Sequence, residues 1–342
     1  MKKKDRKKLP LLLGGSLALA AATGAAYVYG VTDYTLRVAM DREMPASRAL
    51  ISWLQNPKKE EKEDPYAAFA EAQERLRLTP HFVVRITSRD GIALVGHWFP
   101  RENAKRVILA VHGWRSSWYR DFSGAAGFWA EEDCSVLYIE QRGQGDSGGT
   151  CMAFGTLERL DCLDWLDWLV QNTPEELPIY LAGISMGATT VLLCADLDLP
   201  ARVKGIMADC GFTSADEIFR EVARKSVPVP YPLARVAINR IFARKTGWRA
   251  DALRTTDALA KAKVPVLLFH GEADRFVPVW MSRANFEACT SEKDLMTVPG
   301  AIHGLSFVVA GEAYKEKERA FWRAHDGDGA KDAANAASEE GV

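Results

Sequence analysis

The sequence has no excess of either charge and no cysteine pattern tied to a known chemistry. Its 342 residues contain 44 Lys and Arg against 45 Asp and Glu, which gives a formal net charge of −1. Nucleic-acid binding needs a basic surface, so this balance predicts no nucleic-acid partner. None of the six cysteines forms a C-x-x-C pair or shares zinc-site spacing with histidines. No metal and no cofactor are therefore predicted.

The N-terminus has a short basic segment followed by a long uncharged run. Residues 1–8 hold six basic side chains and one acidic one, and an uncharged run follows from Leu9 to Thr32. A helix of about 23 residues is roughly 35 Å long, enough to cross the hydrocarbon core of a bilayer. We expect a transmembrane signal anchor over residues 9–31, with the basic segment cytoplasmic and the body extracytoplasmic. Cleavage at the small residues around 20–26 would instead give a secreted protein.

The rest of the chain divides into three parts. A juxtamembrane helical region is predicted over residues 33–80, a large globular domain over 81–325 and a disordered tail over 326–342. In the globular domain, two alternating stretches flank Arg89-Asp90-Gly91 and predict a β-hairpin.

Continuous apolar runs follow the hairpin, and helical patterns lie between them. Such runs are typical of parallel strands that are buried on both faces. With the hairpin they predict an α/β fold whose mostly parallel, eight-stranded sheet is flanked by helices. The long connection over residues 212–257 predicts a small helical cap insertion. The runs are Val107–Val111, 136–139, 179–182, 203–208, 264–269 and 295–298.

The pentapeptide Gly183-Ile184-Ser185-Met186-Gly187 matches the G-x-S-x-G signature of a nucleophilic serine. A predicted strand precedes it and a predicted helix follows, as the signature requires. The flanking glycines permit the sharp turn because they have no Cβ atom. We therefore predict Ser185 as a nucleophile, whereas a structural serine is the alternative.

A nucleophilic serine needs a base, and the base needs an acid that orients it. With this signature the chain order is serine, acid, histidine. Asp274 follows the predicted strand over 264–269, and His303 follows the next strand. Both side chains are expected at the carboxyl edge of the sheet, where open α/β sheets bind their ligands. The prediction is a Ser185–His303–Asp274 triad.

Several motifs together give a family resemblance. From about His81 to Ala324 the chain resembles the α/β-hydrolases, in particular membrane-anchored bacterial enzymes of the dienelactone hydrolase and prolyl-oligopeptidase-like group. The globular domain is then their catalytic domain, with the α/β-hydrolase fold. The matching elements are the His112-Gly113 turn, the Arg142–Ser147 loop, the Ser185 turn, Asp274 with Val277-Pro278, and His303.

The resemblance implies roles for further residues. It assigns the oxyanion hole to the backbone N–H groups of Trp114 and Met186 and leaves His112 a structural role. Asp209 is a reserve acid, since an acid at this point orients the histidine in some relatives. Gln141 departs from the usual Asp of the Arg-Gly loop, a position that is not catalytic.

A second serine matches a different signature. Gly145-Asp146-Ser147-Gly148-Gly149 resembles the nucleophile segment of trypsin-like proteases. Those proteases are paired β-barrels with the order histidine, aspartate, serine. This chain has helices between its strands, so we predict a structural turn at Ser147.

The expected activity is hydrolysis of a small-molecule carboxylic ester or other acyl substrate through an acyl-enzyme. A peptidase or amidase uses the same triad, and a non-catalytic membrane-tethered scaffold is the alternative from another class. The sequence does not distinguish ester from amide substrates, and it leaves the oligomeric state open.

Overall fold

The computed structural model describes residues 8–43, 69–226 and 229–327, with the backbone alone for 8–21 and Ser226. The predicted basic segment over 1–8 therefore lies outside the described residues, apart from the backbone of Lys8. The tail from residue 328 onward and the middle of the predicted juxtamembrane region, 44–68, also lie outside them.

An eight-stranded sheet forms the centre of the protein, in the spatial order β1-β2-β4-β3-β5-β6-β7-β8. The β1–β2 and β2–β4 pairs are antiparallel, and the other five are parallel. The predicted mostly parallel sheet with an opening hairpin is confirmed. The strands are β1 Phe82–Thr87, β2 Ala93–Phe99, β3 Arg106–Val111, β4 Cys134–Glu140, β5 Ile179–Ile184, β6 Val203–Asp209, β7 Val266–Gly271 and β8 Lys293–Val298.

Helices cover both faces of this sheet. Side chains alternate along a strand, so a central strand supplies both cores. In β3, Leu109 packs in one core with Trp165, and Ile108 packs in the other with Trp322. The helices are α1 Lys8–Met40, α2 Ala70–Leu78, α3 Trp118–Glu131, α4 Glu158–Asn172, α5 Met186–Leu193, α6 Ala215–Ser226, α7 Tyr231–Thr246, α8 Thr255–Leu259, α9 Trp280–Ala288, α10 Ser306–Ala310 and α11 Glu312–His325.

The connection between β6 and β7 carries α6, α7 and α8, in the region where the cap insertion is predicted. A third apolar cluster joins α6 and α7 to the start of α5. It includes Phe212, Phe219, Phe242 and Met186, which directly follows Ser185. Thus α6 and α7 pack in one cluster with the residue that follows Ser185, whereas α8 packs in the core on one face of the sheet.

The N-terminal helix differs from its prediction. α1 runs on to Met40, past the predicted end of the anchor at residue 31, and Leu36 and Met40 are buried in the apolar cluster under α7. Among the described residues, no helix is both long and apolar enough to span a membrane. The predicted anchor over 9–31 is thus unsupported, and its side chains before residue 22 lie outside the described set. The extracytoplasmic location stays a prediction.

Asp326, which the sequence analysis assigns to the disordered tail, has defined partners in the structure. Asp326 forms an ion pair with the buried guanidinium of Arg106 at 2.7 Å and accepts a hydrogen bond from the Tyr180 hydroxyl at 2.8 Å. Composition alone placed Asp326 with the Ala- and Gly-rich residues that follow, because its two partners lie far away in the sequence.

Candidate functional site

Ser185 lies in a strained turn between β5 and α5. Its backbone has φ 57° and ψ −115°, a conformation that residues other than glycine rarely adopt. The two flanking glycines make this turn possible. A Cβ at Gly183 would lie 2.4 Å from the carbonyl of Gly187, and a Cβ at Gly187 would lie 1.9 Å from the Val111 oxygen. No side chain fits at either position, which explains the G-x-S-x-G pattern.

The three predicted triad residues come together at the carboxyl edge of the sheet. His303 Nε2 lies 2.9 Å from Ser185 Oγ, and His303 Nδ1 lies 2.6 Å from Asp274 Oδ2. Ser185 is 7% exposed and His303 8% exposed, so the site is nearly closed to water. The loops after β7 and β8 supply the acid and the base, because the two strands are parallel neighbours.

Asp274 is held as an ionised acceptor. Its Oδ1 accepts hydrogen bonds from the backbone N–H groups of Phe276 and Val277 at 2.8 and 2.9 Å. Burial by itself would raise the pKa of this carboxyl group. The charge of His303 and hydrogen bonds from His270 and His303 outweigh burial, and they lower the pKa of Asp274 well below its usual value.

His270 is a residue of the site that the sequence analysis missed. It is fully buried in β7, and its Nε2 donates to the Val277 carbonyl at 2.8 Å and lies 3.4 Å from Asp274 Oδ2. Its Nδ1 is paired with the Ser282 hydroxyl at 2.7 Å. The ring therefore supports the loop that presents Asp274. Its position within an apolar strand, four residues before Asp274, was the available signal.

His303 is set up to act as a base. Burial disfavours the charged imidazole, but the negative charge of Asp274 and its hydrogen bond prevail and raise the pKa of His303. Asp274 also orients the ring, because Nδ1 must carry a proton to donate to it. Nε2 is then the unprotonated nitrogen, and it accepts the hydrogen bond from Ser185 Oγ.

The raised pKa of His303 predicts the pH dependence of the reaction. Only the neutral ring accepts the serine proton, so kcat/KM should rise with pH through an apparent pKa above the usual 6.5. A pH series of initial rates measures this pKa. In an Asp274→Asn variant the residual activity should titrate at lower pH, because the carboxylate charge is gone. Activity that stays constant from pH 5 to 8 would contradict His303 as the base.

The loop after β3 passes directly beside Ser185. A Cβ at Gly113 would lie 3.3 Å from Ser185 Cβ. The Gly113 N–H donates to Asp121 Oδ2 at 2.6 Å, and the His112 carbonyl accepts from the Gln141 side chain. The next N–H, of Trp114, has no protein acceptor among the described residues. It is thus available to a ligand of Ser185.

Met186 is the first residue of α5, so its N–H is one of the groups at the helix N-terminus that have no partner within the helix.

The predicted structural role of His112 agrees with its buried ring, whose Nδ1 pairs with the Gly113 carbonyl at 2.8 Å. Asp121 was missed in the sequence because nothing local marks it. It lies in the first turn of α3 and reaches the loop only in the folded chain.

Asp209 and Cys210 lie behind the triad. Asp209 Oδ1 accepts from the Ser306 hydroxyl at 2.8 Å, and burial raises the pKa of its carboxyl group. Asp274 therefore occupies the position beside His303 Nδ1, and the reserve acid Asp209 does not. The ligand atoms of Cys210, Asp274 and His303 lie within 4.8 Å of one another. The Asp274–His303 hydrogen bond already uses two of these three groups.

Ser147 has a structural position, as predicted. Its hydroxyl donates to the Glu140 carbonyl at 2.6 Å and accepts from the Val95 N–H at 2.9 Å. The side chain is fully buried and joins β2 to the loop after β4. Arg142 in the same loop is paired with Asp161 and Asp90.

Comparison with known proteins places the fold among hydrolases. Residues 102–235, less than half of the chain, match the family described as serine aminopeptidase, S33. The uncharacterized protein YqkD of Bacillus subtilis is 27% identical over 188 residues, 55% of this chain and 61% of YqkD. The chain thus spans less than two thirds of that relative.

Two solved structures have a similar fold. The esterase Pf2001 of Pyrococcus furiosus superposes with a TM-score of 0.58 at 23% identity, over 72% of this chain and 93% of Pf2001. The α/β hydrolase GrgF of Penicillium sp. sh18 has a TM-score of 0.57 at 18% identity, over 72% of this chain and 99% of GrgF. Together with the family match, these likenesses support a hydrolase.

Proposed function

We propose that this chain, which belongs to the α/β-hydrolases, is a serine hydrolase that cleaves carboxylic esters through an acyl-enzyme on Ser185. The observation that carries the proposal is the continuous hydrogen-bonded chain from Ser185 Oγ through His303 to Asp274. A strained serine at the end of a parallel strand, paired with a buried histidine whose other nitrogen faces a carboxylate, has the arrangement of an activated nucleophile.

In the first half-reaction, His303 Nε2 takes the Ser185 proton as Oγ attacks the ester carbonyl. The N–H groups of Trp114 and Met186 stabilise the resulting oxyanion. The tetrahedral intermediate collapses, the C–O bond to the leaving group breaks, and His303 gives its proton to the departing alcohol. Asp274 stabilises the imidazolium that exists between these transfers and keeps its carboxylate charge throughout.

The second half-reaction releases the acid. A water molecule loses its proton to His303 and attacks the acyl carbonyl, which forms a second oxyanion at the same two N–H groups. The bond to Ser185 Oγ then breaks, and His303 returns the proton to the serine. One ester and one water are consumed, and one alcohol and one carboxylic acid are formed.

The surroundings of Ser185 favour an apolar acyl group. Met186, Phe212 and Phe276 belong to one apolar cluster with the helices that cover the turn, and Trp114 packs against it. The esterase Pf2001 shares the fold, which is consistent with ester substrates. A peptidase or amidase is the second candidate, because the matching family is described as serine aminopeptidase.

A reactivity profile separates these candidates. The wild-type protein should be labelled by a fluorophosphonate probe at Ser185, and it should hydrolyse p-nitrophenyl esters of two to twelve carbons faster than aminoacyl p-nitroanilides. Peptide mapping locates the label and initial rates give the ranking. Faster cleavage of the anilides would replace the esterase by the aminopeptidase, and an unlabelled protein would contradict both.

A further inference from the structure

The end of α1 contacts the loop that follows β3. Residues 38–42, which we call the α1 clamp, comprise the last turn of α1 and the two residues after it. The Trp114 indole N–H donates to the Ala39 carbonyl at 2.7 Å. One nitrogen of the Arg115 guanidinium, Nη2, donates to the carbonyls of Val38 and Asp41, each at 2.7 Å. Two consecutive side chains of the loop are therefore fixed to the helix end.

These contacts suit the chemistry of a helix C-terminus. The last carbonyls of a helix have no partner within it and carry partial negative charge, which a guanidinium satisfies. Arg115 also has φ 48°, in the left-handed region that non-glycine residues avoid. The surrounding contacts must hold this conformation, and the bonds to Val38 and Asp41 are the polar ones that its side chain makes among the described residues.

The α1 clamp is itself held firmly from the other side. The Met40 carbonyl accepts from the Met152 N–H at 2.8 Å, and the Arg42 N–H donates to the Thr150 carbonyl at 3.0 Å. The Arg42 guanidinium donates to the Gly145 carbonyl at 2.6 Å, and Asp41 pairs with Lys245 of α7. The α1 clamp therefore provides a fixed reference for the loop after β3.

We infer that Arg115, together with the Trp114 indole, is a positioning residue that uses the α1 clamp to aim the Trp114 N–H at the oxyanion. The inference rests on the proposed function of Ser185. The Trp114 indole and the Arg115 guanidinium are both hydrogen-bonded to carbonyls of the α1 clamp. The peptide that carries the Trp114 N–H therefore lies between two held points, the Gly113 N–H bonded to Asp121 and the Trp114 side chain bonded to the clamp. The Arg115 bonds hold the residue after it, and together these contacts restrict rotation of this peptide. In this view the N-terminal helix contributes to transition-state stabilisation.

The test compares Arg115→Met with Arg115→Lys and with the control Lys245→Met. The methionine keeps an apolar stem but loses both hydrogen bonds, and the lysine retains a cation that reaches one carbonyl. Lys245→Met removes only the ion pair with the Asp41 side chain and leaves the clamp's backbone bonds to Met152 and Thr150 and both Arg115 bonds in place. Loss of a whole oxyanion donor costs about 10²–10³ in kcat. For a misaimed donor we expect kcat to fall about tenfold in Arg115→Met, with KM nearly constant.

The affinity for a trifluoromethyl ketone, which forms an oxyanion on Ser185, should fall by the same factor as kcat. Arg115→Lys should recover part of both losses, and Lys245→Met should keep both near wild type. If Arg115→Met fails to fold, Trp114→Phe replaces it, because it removes the indole N–H that bonds to Ala39 and keeps a smaller aromatic ring. Its kcat should fall in the same way.

Two results would overturn the inference alone. One is an Arg115→Met protein with a lower Tm but unchanged kcat and ketone affinity, which is the behaviour of a packing contact. The other is an equal loss in Lys245→Met. In both cases the wild type still turns over ester and loses this on Ser185→Ala, so the proposed function stands. A wild type without ester turnover overturns the proposed function and this inference with it.

Discussion

Replacement of Ser185 by alanine should lower kcat for ester hydrolysis by about 10⁴-fold or more, because the acyl-enzyme can no longer form. The backbone N–H groups of Trp114 and Met186 stay in place, so about a 10³-fold acceleration over water should remain from the oxyanion hole. Ester turnover at saturating substrate measures the loss. Thermal unfolding of the same variant should be nearly unchanged, since the hydroxyl has the single partner His303 among the described residues.

Ser147→Ala is the matched control, because Ser147 lies in the competing Gly-Asp-Ser-Gly segment. Its hydroxyl joins Glu140 to Val95 in the interior, so its removal should cost about 1–3 kcal/mol of unfolding free energy. The kcat of the folded variant should stay close to wild type. Loss of chemistry in Ser147→Ala with normal chemistry in Ser185→Ala would reverse the assignment of the nucleophile.

Replacement of Asp274 by asparagine should lower kcat by about 10⁴-fold with little change in the fold. The amide oxygen can still accept from the N–H groups of Phe276 and Val277, so the loop keeps its anchor. The amide has no charge to stabilise the imidazolium of His303, and its NH₂ group favours the tautomer with the proton on Nε2. That tautomer cannot accept the serine proton. Rapid-mixing measurement of ester turnover gives the loss in kcat.

Asp209→Asn gives the comparison for the second buried acid. Asp209 bonds to Ser306, and an amide oxygen can accept that same hydrogen bond. The substitution also replaces a buried carboxyl group, whose charged form is disfavoured by burial, with a neutral amide. We expect kcat within about tenfold of wild type, a difference of at most about 1.4 kcal/mol in the barrier. If this variant lost more activity than Asp274→Asn, Asp209 would be the orienting acid.

The sequence predicts well those parts of the site whose signal is local. Two glycines around Ser185 mark a sharp turn, and the contact that excludes a side chain at Gly183 is local, with Gly187. Asp274 and His303 could be located because each lies in the short loop that follows a predicted strand, three residues after β7 ends and five after β8 ends. Because β7 and β8 are parallel neighbours, the loops that follow them lie at the same edge of the sheet. The two residues therefore meet although they are far apart in the sequence.

Other parts depend on contacts between distant segments and have no local signal. Asp121 reaches the Gly113 N–H only because α3 begins beside the loop. The same is true of Asp326, whose partner Arg106 lies 220 residues earlier. For α1, an uncharged run predicts an apolar environment but does not say whether lipid or protein provides it. From Val28 onward, α1 packs on α7 and the apolar cluster beneath it, whereas residues 22–27 are exposed.

The close backbone contact at Gly187 has a consequence for how the site can change by substitution. The first turn of α5 rests against the carbonyls of Val111 and His112, at a distance that excludes even a methyl group. Those carbonyls begin the loop that carries Trp114. The distance between the start of α5, which carries the Met186 N–H, and the loop that carries the Trp114 N–H is therefore set by direct backbone contact, with no side chain between them. Substitutions in α6 and α7 can change the volume over Ser185 without changing this distance.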